Sequence, residues 1–176
     1  MPMMELLMRF SPIAVALSLS LATVSSAVLG QKADDQINPR SIALVQQGEA
    51  ALTAGRLDEA ADLMEAALVV DPRNVAGFNG LGKVARAQNL PGKAIRFYRE
   101  SLSINPDDLV ALEGQGDAYV QRGAVERAKA NLARIKALCR VTCPAATNLS
   151  AVIAKGPPAP AAAAAAVATQ SSDKKN

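Results

Sequence analysis

The sequence predicts an all-α protein built from repeated pairs of helices. Half of its 176 residues are apolar, yet only 3% are aromatic and none is Trp, which is typical of helices rich in Ala and Leu. Apolar and small residues recur at steps of three and four, as at Ala60, Met64, Ala67 and Leu68. The pattern of residues 55–72 returns after 34 residues, and a period of this length indicates stacked helical units.

The composition excludes most kinds of catalytic and metal site. The chain has no His, which removes His general bases, Ser–His and Cys–His pairs and every metal site that uses His. Two Cys are too few for a zinc site, and a net charge of +3 does not favour nucleic-acid binding. The sequence therefore predicts no enzyme, no cofactor, no metal, no nucleic-acid partner and no small-molecule substrate.

The first 27 residues are typical of a secretory signal peptide. Arg9 precedes the uncharged stretch 10–29, and Ser25 and Ala27 provide the small residues for cleavage after Ala27. Cleavage after Gly30 is a second option, and Met8 is an alternative start that removes the unusual acid Glu5. The alternative is an uncleaved membrane anchor, since residues 12–29 reach the lower limit for a bilayer span. We expect a periplasmic or secreted bacterial protein, with membrane contact only if this segment is retained.

Three units follow at residues 41–74, 75–108 and 109–142. Small residues and prolines recur at equivalent positions of these units, namely Gly48, Gly82 and Gly116, Ala60, Ala94 and Ala128, and Pro72 and Pro106. Gly and Ala let two helices cross closely, and a proline moves the preceding residue out of the helix and so ends each unit. Asn38 with Pro39, Asn74 and Pro91 are predicted to begin helices.

The repeat domain is predicted to span residues 39–155, between a linker at 28–38 and a tail. Leu149, Val152 and Ile153 share one face of a helix predicted at 145–155, which would cap the last unit. Gly156 and Pro157 would end this helix. Residues 156–176 are rich in Pro and Ala and are predicted to be disordered.

These residues resemble the tetratricopeptide repeat. The family's pattern is matched by Leu44, Gln47, Gly48, Ala51, Ala60, Met64 and Pro72 in the first unit, by Phe78, Leu81, Gly82, Ala85, Ala94, Tyr98 and Pro106 in the second, and by Leu112, Gln115, Gly116, Tyr119, Ala128 and Leu132 in the third. The Trp of the family pattern is never present, and Arg140 stands where the third unit should have Pro. The resemblance implies a right-handed superhelical stack of three helix-turn-helix units whose first helices line a concave, peptide-binding groove.

Groove-facing residues are assigned by their positions in the family. They are Ile42, Val45, Glu49 and Leu52 in the first unit, Ala76, Asn79, Lys83 and Arg86 in the second, and Val110, Glu113, Asp117 and Val120 in the third. Lys83 and Arg86 lie at the centre and predict a partner segment that is acidic or of mixed charge, although such polar residues can also simply solvate a surface. Family members that bind chaperones hold a terminal carboxylate with Lys and Asn in the first unit and Lys and Arg in the third. Here Val45 and Glu49 take the places in the first unit and Glu113 and Asp117 those in the third, so this clamp is predicted to be absent.

Net charge differs between the units: −4 in the first, +2 in the second and +3 in the third. This gradient could orient a partner during encounter or stabilise the stacking of the units. Cys139 and Cys143 are predicted to form a structural disulfide between the last repeat helix and the capping helix; reduced thiols or a redox pair are the alternatives.

The predicted function is to bind a segment of another protein, as a scaffold or assembly factor in a bacterial envelope. The alternatives are a thiol–disulfide helper that uses Cys139 and Cys143, and a membrane-tethered organiser that keeps its N-terminal segment.

Overall fold

The computed structural model describes residues 36–139, 141 and 143–158, which form seven helices and contain no strand. The helices are α1 (Pro39–Thr53), α2 (Leu57–Val70), α3 (Val75–Ala87), α4 (Pro91–Ile104), α5 (Leu109–Gln121), α6 (Val125–Leu138) and α7 (Pro144–Lys155). The predicted signal peptide, most of the linker and the tail after Pro158 lie outside the described residues. Within those ranges, no helix combines the length and hydropathy needed to traverse a bilayer.

The helices begin and end where the local sequence predicts. Asn38 caps α1, with its Oδ1 accepting the Arg40 N–H at 3.0 Å, and Asn74 caps α3 in the same way through the Ala76 N–H at 3.1 Å. Pro39 and Pro91 occupy the first turns of α1 and α4. The helices α2 and α4 end at Val70 and Ile104, two residues before Pro72 and Pro106, which confirms that each proline closes a unit.

The seven helices form two layers. The first helices of the units, α1, α3 and α5, contact one another in sequence, and α7 continues this row against α5; we call this row the inner layer. The second helices, α2, α4 and α6, pack against the inner layer, each between its own first helix and the next one; we call them the outer helices. This arrangement is the predicted all-α stack of helix-turn-helix units.

Glycines make the close approach between the layers possible. A Cβ atom placed on Gly48 would lie 2.9 Å from Cε of Met64, and one on Gly82 would lie 2.6 Å from the ring of Tyr98. Ala60, Ala94 and Ala128 at the predicted crossings are fully buried. The small residues of the repeat therefore have a packing role, because they leave room for Met64 and Tyr98 between the paired helices.

The helix α7 covers the apolar end of the third unit. Leu149 is fully buried with Leu112 and Ile135, and it packs against Gly116, where a Cβ atom would lie 2.6 Å from the Leu149 side chain. The helix begins one residue earlier than predicted, because Pro144 takes its first turn, and it ends at Lys155 as predicted. Gly156 follows in the left-handed region with a φ of 76°.

Candidate partner-binding face

The predicted groove residues lie on α1, α3 and α5, but the structure buries several of them. Val45 is 5% exposed, Asn79 6% and Val120 2%. Val45 packs with Met64 and Leu81, and the Asn79 Nδ2 donates to Asp108 Oδ2 at 3.1 Å. The expectation that these three side chains are open to a partner is therefore corrected. Neighbouring helices of the inner layer pack side by side, so some of the predicted groove residues form contacts between these helices.

The charged groove residues pair with each other across the inner layer. Lys83 Nζ lies 3.3 Å from Glu49 Oε1, and Arg86 forms an ion pair with Asp117. Glu113 Oε1 accepts a hydrogen bond of 3.0 Å from Asn148 on α7. The basic centre expected from Lys83 and Arg86 is thus largely neutralised within the chain.

The apolar groove residues other than Val45 and Val120 are exposed or half-buried. Ile42, Ala76 and Val110 are exposed, and Leu52 is half-buried beside Ala51 and Ala60. Ile42 and Val110 lie among the exposed large apolar residues of the described chain. Their exposure leaves these side chains accessible to a partner on the inner layer.

Tyr98 interacts with Arg86 and Glu113 of the inner layer, and the sequence did not predict this link. The ring is buried between α3 and α5, and a Cβ atom on Gly114 would lie 2.5 Å from the phenol oxygen. Burial raises the pKa of Tyr98 above its ordinary value, the positive charge of Arg86 opposes this rise, and Glu113 adds to it. Gly114 precedes the repeat glycine Gly116 by two residues and is the sequence signal that could have revealed this contact.

A hollow of about 360 Å³ opens at the end of the inner layer, between α5 and α7. Its lining is formed by Asp117, Val120, Gln121, Val152, Lys155, Gly156, Pro157 and Pro158. The Gln121 side chain donates to Asp117, while its buried Oε1 has no hydrogen-bond partner among the described residues. Sequence reasoning missed this hollow, because it depends on where α7 docks and not on any local pattern.

Cys139 and Cys143 flank the short connection between α6 and α7. The structure joins them by a disulfide with a Cα–Cα distance of 6.1 Å, and both residues pack against the cluster of Leu112, Ile135 and Leu149. Cys139 follows the last residue of α6 and Cys143 precedes the first residue of α7. The bond so placed would hold the two helices against each other.

Comparison with known proteins identifies the repeat. Residues 45–108 match the tetratricopeptide repeat family. No curated protein sequence shows significant similarity to the chain.

Solved structures of the same architecture match most of the chain. The Sgt2 tetratricopeptide domain from Aspergillus fumigatus has a TM-score of 0.61 at 22% identity, over 67% of this chain and 80% of that one. The first such domain of Spaghetti (RPAP3) with the HSP90 peptide SRMEEVD has a TM-score of 0.60 at 19% identity, over 66% and 92%. The Yersinia enterocolitica type III secretion chaperone SycD with a peptide of the translocator YopD has a TM-score of 0.57 at 18% identity, over 73% and 93%. At these identities the likeness concerns the fold.

Proposed function

This chain is a tetratricopeptide-repeat protein, and from that premise we propose that it binds a segment of another protein along its inner layer. The hollow between α5 and α7 is the observation that carries the proposal. It is open and partly apolar, and one of its lining residues, Gln121, has a buried Oε1 without a partner among the described residues. Two structural neighbours with the same fold hold peptides, which supports a peptide as the ligand.

The lining of the hollow indicates the chemistry of the segment. Val152 of α7 would contact an apolar side chain of the segment. Asp117 and Lys155 lie at the same hollow with opposite charges. A segment with one apolar residue flanked by charges of both signs fits this surface better than a uniformly acidic one. Glu49 and Asp117, each in an ion pair, stand against capture of a terminal carboxylate.

Peptide selection followed by a blocking substitution tests this function. Peptides selected from a random dodecapeptide library should bind the protein and lose at least about tenfold in affinity to Val152→Arg, because the long charged side chain would enter the hollow. Val69→Arg is the matched control, since Val69 is exposed on the outer helix α2. Selected peptides that bind both variants equally well would contradict the inner-layer site.

We further propose that the protein acts in a bacterial envelope after its first 27 residues are removed, as a scaffold or assembly factor. The Cys139–Cys143 bond fits an oxidising compartment. Intact mass of the natively produced protein, with and without reductant and thiol alkylation, tests this. We expect a chain that begins at Val28 or Gln31 with both Cys unreactive until reduction. A full-length mass would instead support the membrane-tethered organiser, and accessible free thiols would support the thiol–disulfide helper.

A further inference from the structure

Four arginines converge on a second hollow, on the side of the molecule formed by the outer helices. This hollow of about 330 Å³ is lined by Gly92, Ile95, Arg96 and Arg99 of α4, Tyr119 of α5, Arg122, Ala124, and Arg127 of α6. We call it the arginine hollow. It shares no lining residue with the hollow of the inner layer, so it is a separate surface of the protein.

The charges of the arginine hollow are not neutralised by the described part of the chain. The side chains of Arg96, Arg99 and Arg122 form no ion pair or hydrogen bond with any residue that the structure describes, and the Arg127 guanidinium lies over the ring of Tyr119 at 5.7 Å. No carboxylate lines the hollow, and the nearby Glu126 is paired with Lys129 at 2.8 Å. The basic groups of the inner layer, by contrast, pair with carboxylates across helices, as Lys83 and Arg86 do.

The start of α4 adds to the positive potential of the hollow. Gly92 lies in the first turn of this helix, and a Cβ atom there would be 3.4 Å from the Arg122 guanidinium. The first turns of α2 and α6 carry acidic residues, which α4 lacks, and no side chain caps its start. The partial positive charge of the helix terminus is therefore not compensated locally.

We propose that the arginine hollow binds a phosphate monoester, either a soluble one or the headgroup of a lipid. Guanidinium groups match the oxygens of phosphate in a bidentate geometry. A phosphate monoester brings close to two negative charges and three acceptor oxygens in one compact group, whereas an acidic side chain brings one charge. The volume of the hollow suits a phosphate with a small organic substituent. Concentrated positive charge in a small space favours the phosphate over an acidic peptide, whose carboxylates are spread along a backbone.

Side-chain NMR of the full protein tests the proposal with glycerol 3-phosphate as the probe. Millimolar glycerol 3-phosphate should shift the Nε–Hε signals of the four arginines of the hollow. The double variant Arg96→Ala/Arg122→Ala should bind at least about tenfold more weakly, since charge-assisted hydrogen bonds are lost. Arg40→Ala/Lys136→Ala removes the same net charge at exposed sites outside the hollow and should change the affinity less than about twofold. Arg96→Lys/Arg122→Lys keeps the charge and should still weaken binding, because the bidentate geometry is lost.

Two further experiments distinguish a soluble phosphate ester from a lipid headgroup, and the phosphate ester from an acidic peptide. Vesicles of phosphatidylcholine with one fifth phosphatidic acid present the same phosphate chemistry on a membrane. Cosedimentation that needs phosphatidic acid and both arginines would assign the lipid source, and binding of glycerol 3-phosphate alone would assign a soluble ester. The proposal is overturned if millimolar glycerol 3-phosphate causes no shift, if the control variant loses as much affinity as the hollow variant, or if hexaglutamate binds more tightly than the phosphate ester.

Discussion

The joint between the first and second repeats and the joint between the second and third are built on the same plan with different central side chains. At the first joint, Met64 of α2 packs against Gly48 of α1 and Gly80 of α3. At the second, Tyr98 of α4 packs against Gly82 of α3 and Gly114 of α5. Met64 is flexible and apolar, whereas Tyr98 is rigid and extends a hydroxyl towards Arg86 and Glu113. The second joint therefore connects the core of the stack to the charged inner layer, and the first does not.

Truncation of the two central side chains should have the largest effect. Tyr98→Ala should lower the free energy of unfolding by about 3–5 kcal/mol and Met64→Ala by about 2–4 kcal/mol, since both leave a cavity and the ring is the larger group. Urea unfolding followed by circular dichroism measures both. Val69→Ala, at an exposed position of α2, is the control and should change stability by less than about 0.5 kcal/mol. A greater loss for Met64→Ala would contradict the comparison.

Addition of a single methyl group to the facing glycines should distinguish the joints more sharply. Gly82→Ala places a Cβ atom 2.6 Å from the Tyr98 ring, which cannot yield, and should cost about 1–2 kcal/mol in unfolding free energy even after the gain in helix propensity. Gly48→Ala meets the terminal methyl of Met64 at 2.9 Å, and the thioether can rotate away. We expect Gly48→Ala to be neutral or stabilising by up to about 1 kcal/mol. Equal costs at both positions in thermal unfolding would show that the ring adapts as easily as Met64.

The features that the sequence predicted are those fixed by a local period. Gly48, Gly82 and Gly116 follow each other at the repeat spacing, and Pro72 and Pro106 each follow the end of a helix by two residues, so the helix pairs could be predicted from the chain alone. Gly80 and Gly114 are also separated by the repeat spacing, and they could have predicted the contact of Met64 and Tyr98 with the next repeat. Local rules of this kind act on the backbone of a few neighbouring residues.

The contacts of the candidate site could not be predicted in the same way, because they depend on how helices cross. Lys83 pairs with Glu49 at the equivalent position of the previous repeat, but Arg86 pairs with Asp117 at a different offset. Whether Val120 is exposed or buried, and whether a hollow opens beside it, depends on the docking of α7. The charge sums of the second and third units indicated excess positive charge, but only the structure brings Arg96, Arg99, Arg122 and Arg127 to one hollow.

Removal of the acidic residue from each ion pair should give the next smaller difference in unfolding free energy between the two joints. The Arg86–Asp117 pair of the second joint has side chains 30% and 17% exposed, against 39% and 51% for Lys83–Glu49 at the first. Asp117→Ala should cost about 1–2 kcal/mol in unfolding free energy, because it leaves a partly buried guanidinium with fewer acceptors. Glu49→Ala should cost less than about 1 kcal/mol, and high salt should remove most of that cost. Equal costs that respond equally to salt would contradict the distinction between the two pairs.

The smallest expected effect is a decline in folding stability that occurs only at alkaline pH. Burial raises the pKa of Tyr98, so the unfolded chain loses this phenol proton near pH 10 while the folded chain retains it. The stabilisation is therefore complete below about pH 10 and is lost as the pH rises through the higher folded pKa. Thermal unfolding between pH 8 and 12 should show a decline in stability that Tyr98→Phe makes shallower. Met64→Leu, which alters the joint that has no ionisable group at its centre, should keep the full decline. An unchanged decline in Tyr98→Phe would mean that ionisation at the second joint does not contribute to alkaline unfolding.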